Sequence, residues 1–183
     1  MPWLTEKVGK DMERPEIEIV RALYDAFNAG DLDGAAGLVS DDFQLTDVAA
    51  GQTLNGPDGC RQWLGMFRTA LPDASAELVT VMAEGPRVAT EHVGRGTHRG
   101  PLVSGGGTIP PTGRTIELRL AELFDVQQGR ITALHAYYDS ASLMRQLGLL
   151  PPQGSSAERG MTSLMALGVK AQQRIRAFRS GRG

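Results

Sequence analysis

Alternating apolar residues predict a β-hairpin in the second half of the chain. Over residues 113–126 the even positions from 116 onward are apolar except for Glu122, and successive side chains of a strand point to opposite faces. The short polar segment 127–129 then leads to a second alternating arm, residues 130–139, as in a hairpin. The alternation predicts that one face of this hairpin carries four polar side chains among apolar neighbours: Glu122, His135, Tyr137 and Asp139. An ionised carboxylate on an apolar face is costly unless it is paired or lines a cavity, so this face has the composition of a pocket wall.

Apolar residues at three- and four-residue spacing predict helices on both sides of this hairpin. The expected helices cover residues 15–28, 32–39, 59–70, 140–147 and 157–179. Alternation predicts further strands over residues 43–47, 74–82 and 87–98. The predicted order is therefore three helices and a strand, followed by a run of antiparallel strands that ends in the hairpin and a short helix.

The length and the composition shifts predict one domain with two flanking segments. Residues 15–150 form the expected domain, residues 1–14 a loose N-terminal arm, and residues 151–183 a linker and C-terminal helical extension. The glycine- and proline-rich segment 99–113 is irregular and long for a connector, which favours a mobile flap beside a site. Its three consecutive glycines lack the Lys-Ser/Thr of a phosphate-binding loop.

Composition excludes several functional classes. Hydrophobic residues make up 41% and charged residues 22%, with a formal net charge of -2, which argues against a broad nucleic-acid-binding surface. The single cysteine, Cys60, cannot form an internal disulfide or a cysteine-rich metal site, and it is expected in the core. No apolar run reaches the length of a membrane span and no signal pattern precedes the domain, so we expect a soluble, cytoplasmic protein.

Several polar and aromatic residues are candidates for a binding site. Asp47 shares a strand face with Phe43 and Leu45, and it is interpreted either as a lining residue or as a turn residue. His92 and His98 lie on one strand roughly 20 Å apart, too far for joint metal ligation, and no metal site is predicted. The side chains expected to contact a substrate are Tyr24, Trp63, Met66, Phe67, His92, Phe124 and Tyr137.

The order of elements and several local phrases resemble the SnoaL-like polyketide cyclases of the nuclear transport factor 2-like superfamily. The phrases are YDAFNAGDLD (24–33), GPDG (56–59), GTH (96–98), IPPTGR (109–114), GRI (129–131) and DSASLMRQLG (139–148). The resemblance implies a cone-shaped α+β fold, in which a curved antiparallel sheet wraps over N-terminal helices around a deep apolar cavity. It also implies cofactor-free closure of a ring by intramolecular aldol condensation, on an apolar or polycyclic small molecule.

The resemblance assigns residues to roles. The acidic residue that these cyclases use near the end of the last strand corresponds to Asp139. Their catalytic histidine belongs to the penultimate strand, where this chain has no histidine and carries Glu122 and Asp125 instead. Ketosteroid isomerase, of the same superfamily, places its base at Asp47 and its proton-donating acid at Glu122. Its catalytic tyrosine falls at Leu23, which implies that this group is absent or displaced to Tyr24.

The sequence therefore supports an acid/base hypothesis with open alternatives. Asp139 is the expected general acid/base and Glu122 a buried donor, with His135 and Tyr137 orienting them and Asp47 as an alternative base. Asp139 can instead cap the helix that follows it, and Glu122 can pair with an arginine.

The alternatives to a cyclase are also open. One is another enzyme of the same fold, which could be an isomerase, a dehydratase or an epoxide hydrolase. In an epoxide hydrolase, Arg95 or Arg119 would be the candidate for the arginine of the site. The other is a non-catalytic protein that binds small molecules. An exposed sheet face and the C-terminal helix lead us to expect a homodimer.

Overall fold

The computed structural model describes residues 14–104 and 107–180. The helices are α1 (Pro15–Ala29), α2 (Leu32–Gly37), α3 (Gly56–Ala70), α4 (Ser140–Gln146) and α5 (Ser156–Ser180). The strands are β1 (Val39–Asp47), β2 (Gln52–Asn55), β3 (Ser75–Glu84), β4 (Arg87–Thr97), β5 (Leu102–Ser104), β6 (Gly107–Ile109), β7 (Thr115–Gln127) and β8 (Arg130–Tyr138). The fold is the predicted α+β class, with a curved sheet against helices. Residues 1–13 of the predicted N-terminal arm lie outside the described residues.

Local signals in the sequence set the ends of the helices. Pro15 occupies the first turn of α1, and Gly30 ends the helix in the left-handed region at φ 74°, where a side chain would be strained. The Asp31 side chain accepts a hydrogen bond from Gly34 N at 2.8 Å and so caps α2. These ends direct the chain from α1 through α2 into β1.

Six strands form the main sheet in the order β2-β1-β8-β7-β4-β3. The neighbouring pairs are antiparallel except β1 and β8, which run parallel. The long strands β4 and β7 pair in unbroken register from Arg87↔Asp125 to Thr97↔Thr115. Residues of β4 and β7 that face inward therefore lie side by side along the sheet.

A β-bulge in β8 corrects the predicted hairpin face. Val126 pairs with Ile131 but Asp125 pairs with Ala133, so Thr132 is an extra residue in β8. One extra residue reverses every later side chain, and Leu134 and Ala136 face inward while Tyr137 is exposed. The prediction that His135, Tyr137 and Asp139 share a face with Glu122 was wrong for this reason.

Two clusters of buried apolar residues hold the helices on the inner face of the sheet. The larger one joins α1 and α3 to the sheet and includes Ile17, Val20, Trp63, Phe43 and Phe124. The smaller one joins the end of α3 and the helix α4 to β7, and it consists of Ala70, Leu102, Ile116, Leu118, Leu120, Leu143 and Leu147. Each cluster packs against a different stretch of the same face.

The segments that flank these clusters contain some regular structure. The glycine-rich segment forms the small β5–β6 hairpin, and its Leu102 is buried in the smaller cluster, so this segment lies against the domain. Helix α5 begins next to the domain, where Glu158 pairs with Arg145 at 2.9 Å, and Leu164 and Met165 are exposed further along it. Within the described part of the chain, no helix has both the length and the apolar composition to cross a bilayer.

Candidate active site

A cavity opens between the two apolar clusters. It includes about 890 Å³ of space between atoms, its open mouth counted, and its walls come from α1, α3, α4 and the inner face of the sheet. Most of the lining side chains are apolar, among them Leu23, Phe27, Leu64, Leu118 and Leu120. Such a wall favours an apolar ligand, and the few polar groups on it determine what chemistry is possible.

Tyr24, Trp63, Phe67, His92 and Glu122 are the predicted site residues that line this cavity. They reach it from α1, α3, β4 and β7, and Trp63 and Phe67 form an edge-to-face pair with ring centroids 5.2 Å apart. Helix α1 therefore supplies a tyrosine to a carboxylate that lies 98 residues further along the chain.

The Tyr24 hydroxyl is the centre of a buried polar network. It donates to Glu122 Oε2, and it lies 2.8 Å from Thr90 Oγ1 and 3.0 Å from His92 Nδ1. Because its single hydrogen goes to Glu122, Thr90 and His92 must donate to its oxygen, which places a hydrogen on His92 Nδ1. The tyrosine thus lies beside the carboxyl group at position 24, the displaced position that the resemblance to ketosteroid isomerase left open.

Burial determines the protonation states in this network. Burial raises the pKa of Glu122 to about 7, with the hydrogen bond from Tyr24 lowering it and the charge of Asp47 raising it. Burial lowers the pKa of His92 to about 4, and burial together with the Glu122 charge raises the pKa of Tyr24. Near neutral pH, Glu122 therefore exchanges protons readily while Tyr24 and His92 stay neutral.

Asp47 lies in a second buried polar group behind the cavity wall. Its Oδ2 accepts from Trp63 Nε1 at 3.0 Å and from Tyr138 OH at 3.2 Å, and its Oδ1 accepts from Ala50 N at 2.9 Å. The side chain is fully buried and shares a face with Phe43 and Leu45, as the alternation predicted. It acts on the cavity through Trp63 and through its charge, since it does not line the cavity itself.

The other predicted site residues lie elsewhere. Asp139 is exposed at the start of α4, where its Oδ1 accepts from Ser142 N at 2.9 Å as a helix cap. Tyr137 is 42% exposed, and His135 pairs across the sheet with the exposed Leu123 on the face away from the cavity. Met66 and Phe124 belong to the packed core around the cavity.

Sequence reasoning missed Thr90 and His98. Thr90 shares the inward parity of His92 on β4, and His98, the residue after the end of β4, continues this parity and lines the cavity. Cys60 is buried, and burial raises the pKa of its thiol to about 11, which fits the predicted core position. Among the described residues, no group of three or more histidine, cysteine or acidic side chains is placed to hold a metal ion.

The two candidate arginines of an epoxide hydrolase are engaged in ion pairs. Arg95 borders the cavity, but its guanidinium contacts Glu77 at 2.7 Å and Glu117 at 2.9 Å. Arg119 contacts Glu91 at 2.6 Å in an exposed pair. Neither guanidinium forms a hydrogen bond with Glu122.

Comparisons with solved structures support the fold. IdmH from Streptomyces antibioticus, provisionally named a polyketide cyclase, is 28% identical with a TM-score of 0.61, over 73% of this chain and 98% of that chain. A protein from Xanthomonas campestris with the same provisional name is 26% identical with a TM-score of 0.61, over 73% of this chain and 96% of that one. AclR from Streptomyces galilaeus, provisionally named a hydroxylase, shares the fold at 23% identity with a TM-score of 0.64, over 74% and 97%.

Sequence comparison gives the family. No curated protein matches this chain significantly. The family model described as SnoaL-like polyketide cyclase matches residues 17–147, which contain every wall of the cavity, and the chain therefore belongs to the SnoaL-like polyketide cyclase family.

Proposed function

We propose that this protein is an acid/base enzyme that closes a ring in an aromatic polyketide by intramolecular aldol condensation, with Glu122 as the proton acceptor. The observation that carries the proposal is a buried carboxyl group, with a pKa raised to about 7, on the wall of a mostly apolar cavity. A base with a pKa near the working pH is the most effective one for removing a proton from carbon. IdmH, 28% identical, has a name that refers to the same reaction class.

Glu122 performs both proton transfers of the reaction. Its carboxylate takes a proton from the carbon beside one substrate carbonyl, and the C–H electron pair forms an enolate. The enolate carbon then attacks a second carbonyl carbon of the same molecule, so that a C–C bond forms and the second carbonyl oxygen becomes an alkoxide. The alkoxide takes the proton back from Glu122, and the enzyme returns to its starting state.

Tyr24 stabilises the charge that develops on the substrate. While Glu122 is ionised, the Tyr24 hydrogen is directed to its Oε2. Once Glu122 holds the substrate proton, Tyr24 is free to donate to the enolate oxygen, while Thr90 and His92 continue to donate to the Tyr24 oxygen. Because Thr90 and His92 already hold the Tyr24 oxygen in place, only its hydrogen has to turn from Glu122 to the enolate oxygen, and this new hydrogen bond lowers the energy of the enolate.

Asp139 has no part in this proposal as a base. Its carboxylate is exposed and accepts a backbone hydrogen bond at the start of α4, so it is not in contact with the cavity. Asp47 contributes through its charge, which raises the pKa of Glu122. The acid/base role that the sequence divided among several carboxylates is thus assigned to one.

Isomerisation of an unsaturated ketone is a second candidate. The combination of Tyr24 beside Glu122, with Asp47 behind the wall, also suits a reaction that removes a proton and returns it to another carbon of the substrate. Both reactions begin with the same enolate. They differ in whether a new C–C bond forms.

The test uses aromatic diketones whose side-chain ketone can reach a second carbonyl. The products are followed by liquid chromatography and mass spectrometry in deuterated water. An isomeric ring-closed product supports a cyclase, and deuterium exchange with a moved double bond supports an isomerase. Loss or gain of water indicates a dehydratase or a hydrolase, and saturable binding without turnover indicates a binding protein.

Two substitutions on β7 assign the base. Glu122→Gln is expected to lower turnover by about 10²–10⁴-fold, as for loss of a general base. Glu117→Gln is the matched control, since Glu117 lies on the same strand with its side chain exposed on the opposite face. Turnover that survives in Glu122→Gln would refute the assignment.

We also infer that two copies pair through the outer face of the sheet. Met82, Ala89 and Leu123 are cross-strand neighbours there, and Met82 and Leu123 are 59% and 49% exposed. Exposed apolar residues that adjoin one another in this way are typical of a protein contact. We expect the partner to be a second copy of the chain, because two-fold homodimers are the commonest oligomers of soluble proteins.

A further inference from the structure

The cavity has a second polar group far from Glu122. His98 directly follows β4, six residues after His92, which corresponds to roughly 20 Å along an extended strand. Gly94 and Gly96 lie between the two histidines on this face, next to Leu118 and Ile116 of β7. His98 therefore lies at the opposite end of an apolar wall from the Tyr24–Glu122 network.

The backbone and one ring nitrogen of His98 are fixed. His98 N donates to Arg114 O at 2.9 Å, and its own carbonyl oxygen accepts from Gly113 N at 2.9 Å. The Thr112 backbone N–H donates to His98 Nδ1 at 3.2 Å, with Thr112 Oγ1 3.1 Å from the same nitrogen. The side chain is thus held in one orientation by the segment that ends the glycine-rich loop.

These contacts determine where the ring carries its hydrogen. A nitrogen that accepts from a backbone N–H cannot itself be protonated, so Nδ1 has no hydrogen and the neutral ring has it on Nε2. The Nε2–H group is fully buried, and it has no hydrogen-bond partner among the described residues. A buried donor without a partner is rare, since it costs free energy to remove it from water without replacement.

We propose that His98 Nε2–H binds a hydrogen-bond acceptor, a carbonyl or ether oxygen, at the end of the substrate remote from the reacting carbon. This assignment rests on the proposed function only in taking the cavity as the substrate site. It specifies an elongated apolar molecule with an oxygen at each end, one near Tyr24 and one at His98. Between the two ends, Leu118 and Ile116 of β7 and the two glycines of β4 give the middle of the molecule an apolar surface to pack against.

Two variants separate ligand binding from support of the loop. In His98→Asn the amide oxygen can take the place of Nδ1 and accept from Thr112 N–H, but the Nε2 donor is lost. In His98→Gln the amide nitrogen can take the place of Nε2, but the acceptor for Thr112 is lost. A role in binding predicts that the asparagine variant is impaired, whereas a role in holding the loop predicts that the glutamine variant is impaired.

The probes are fluorenone and fluorene, which differ by one carbonyl oxygen. The dissociation constants are measured by calorimetry for the wild type and both variants. Wild-type protein and His98→Gln are expected to prefer fluorenone by about tenfold, the value of one hydrogen bond, and His98→Asn to lose this preference. A wild-type protein without the preference, or a preference kept in His98→Asn, overturns the proposal.

A nuclear magnetic resonance measurement on the wild type avoids any effect of mutation on folding. The chain has three histidines, so the imidazole nitrogen resonances are few. Fluorenone is expected to shift the Nε2 resonance of His98 and fluorene to leave it unchanged. A shift confined to His92 would place the carbonyl at the other end of the cavity and overturn the proposal.

The outcome is independent of catalysis because neither probe can undergo ring closure. Loss of turnover in Glu122→Gln together with a fluorenone preference kept in His98→Asn would refute the proposal for His98 alone. Full turnover in Glu122→Gln together with a preference lost in His98→Asn would refute the proposed function and leave the role of His98 intact.

Discussion

The stability of this protein depends on pH through the burial of Glu122. Its pKa is about 7 in the folded protein and 4.5 in a solvated chain, so the folded state binds more protons between these two pH values. The stabilisation from this group is fully present below pH 4.5 and is lost as the pH rises through 7. Since one pKa unit corresponds to about 1.4 kcal/mol, the part that depends on pH is roughly 3 kcal/mol.

The substitution Glu122→Gln removes this dependence, because an amide does not titrate and still accepts a hydrogen bond from Tyr24. We expect the free energy of unfolding of the variant, minus that of the wild type, to increase by roughly 3 kcal/mol between pH 4.5 and 7. Urea unfolding, followed by circular dichroism in a series of buffers from about pH 4 to about pH 8, measures it.

His92 has the opposite dependence. Burial lowers its pKa from 6.5 to about 4, so its stabilisation is present above pH 6.5 and is lost as the pH falls through 4. Both proteins contain His92, and its contribution therefore cancels in the difference. Glu117→Gln, exposed on the same strand, is the control and should differ from the wild type by less than about 1 kcal/mol at every pH. A difference between Glu122→Gln and the wild type that stays constant with pH would show that Glu122 is not buried as described.

Four further substitutions test other parts of the structure. Tyr24→Phe removes a hydrogen bond that lowers the pKa of Glu122, so the midpoint of the pH profile of kcat/KM should rise. Asp47→Asn removes a charge that raises the same pKa, so the midpoint should fall. Midpoints that shift in the same direction in both variants would contradict the network. Asp139→Ala should lower the free energy of unfolding by about 1 kcal/mol through loss of the cap on α4 and leave kcat/KM unchanged, which urea unfolding and a turnover assay measure. Leu123→Lys places a charge on the exposed apolar row of the sheet and should convert a dimer into a monomer in light scattering, and an unchanged mass would exclude this face as the contact.

Local pattern was sufficient for the helices, for the long strands and for one half of the site, but it missed the short strands β2, β5 and β6. The alternation along β7 placed Glu122 inward between Leu120 and Phe124, and the structure buries all three. The same reasoning placed His92 inward on β4 and Asp47 beside Leu45 on β1. Side-chain direction in a strand has a period of two residues, so it follows from sequence wherever the strand is regular.

The β8 strand shows where this reasoning fails. Thr132 is an extra residue, and its hydroxyl donates to Asp125 O at 3.2 Å across the irregularity. The apolar pair Ile131 and Leu134, three residues apart, is the sequence signal of such a bulge, since a regular strand would direct them to opposite faces. Regular alternation without the bulge would place Asp139 on the pocket face, whereas the structure has it as a helix cap.

The sequence by itself determined the family, the α+β order of elements and which residues of the regular strands face inward. Only the tertiary structure decided that Tyr24 meets Glu122, that Asp47 lies behind Trp63, and that His98 has a buried donor. The physical reason is that periodicity fixes the face on which a side chain lies, whereas its partner depends on how α1 and α3 pack against the sheet. The raised pKa of Glu122 comes from that packing, because it arises from burial among residues distant in sequence.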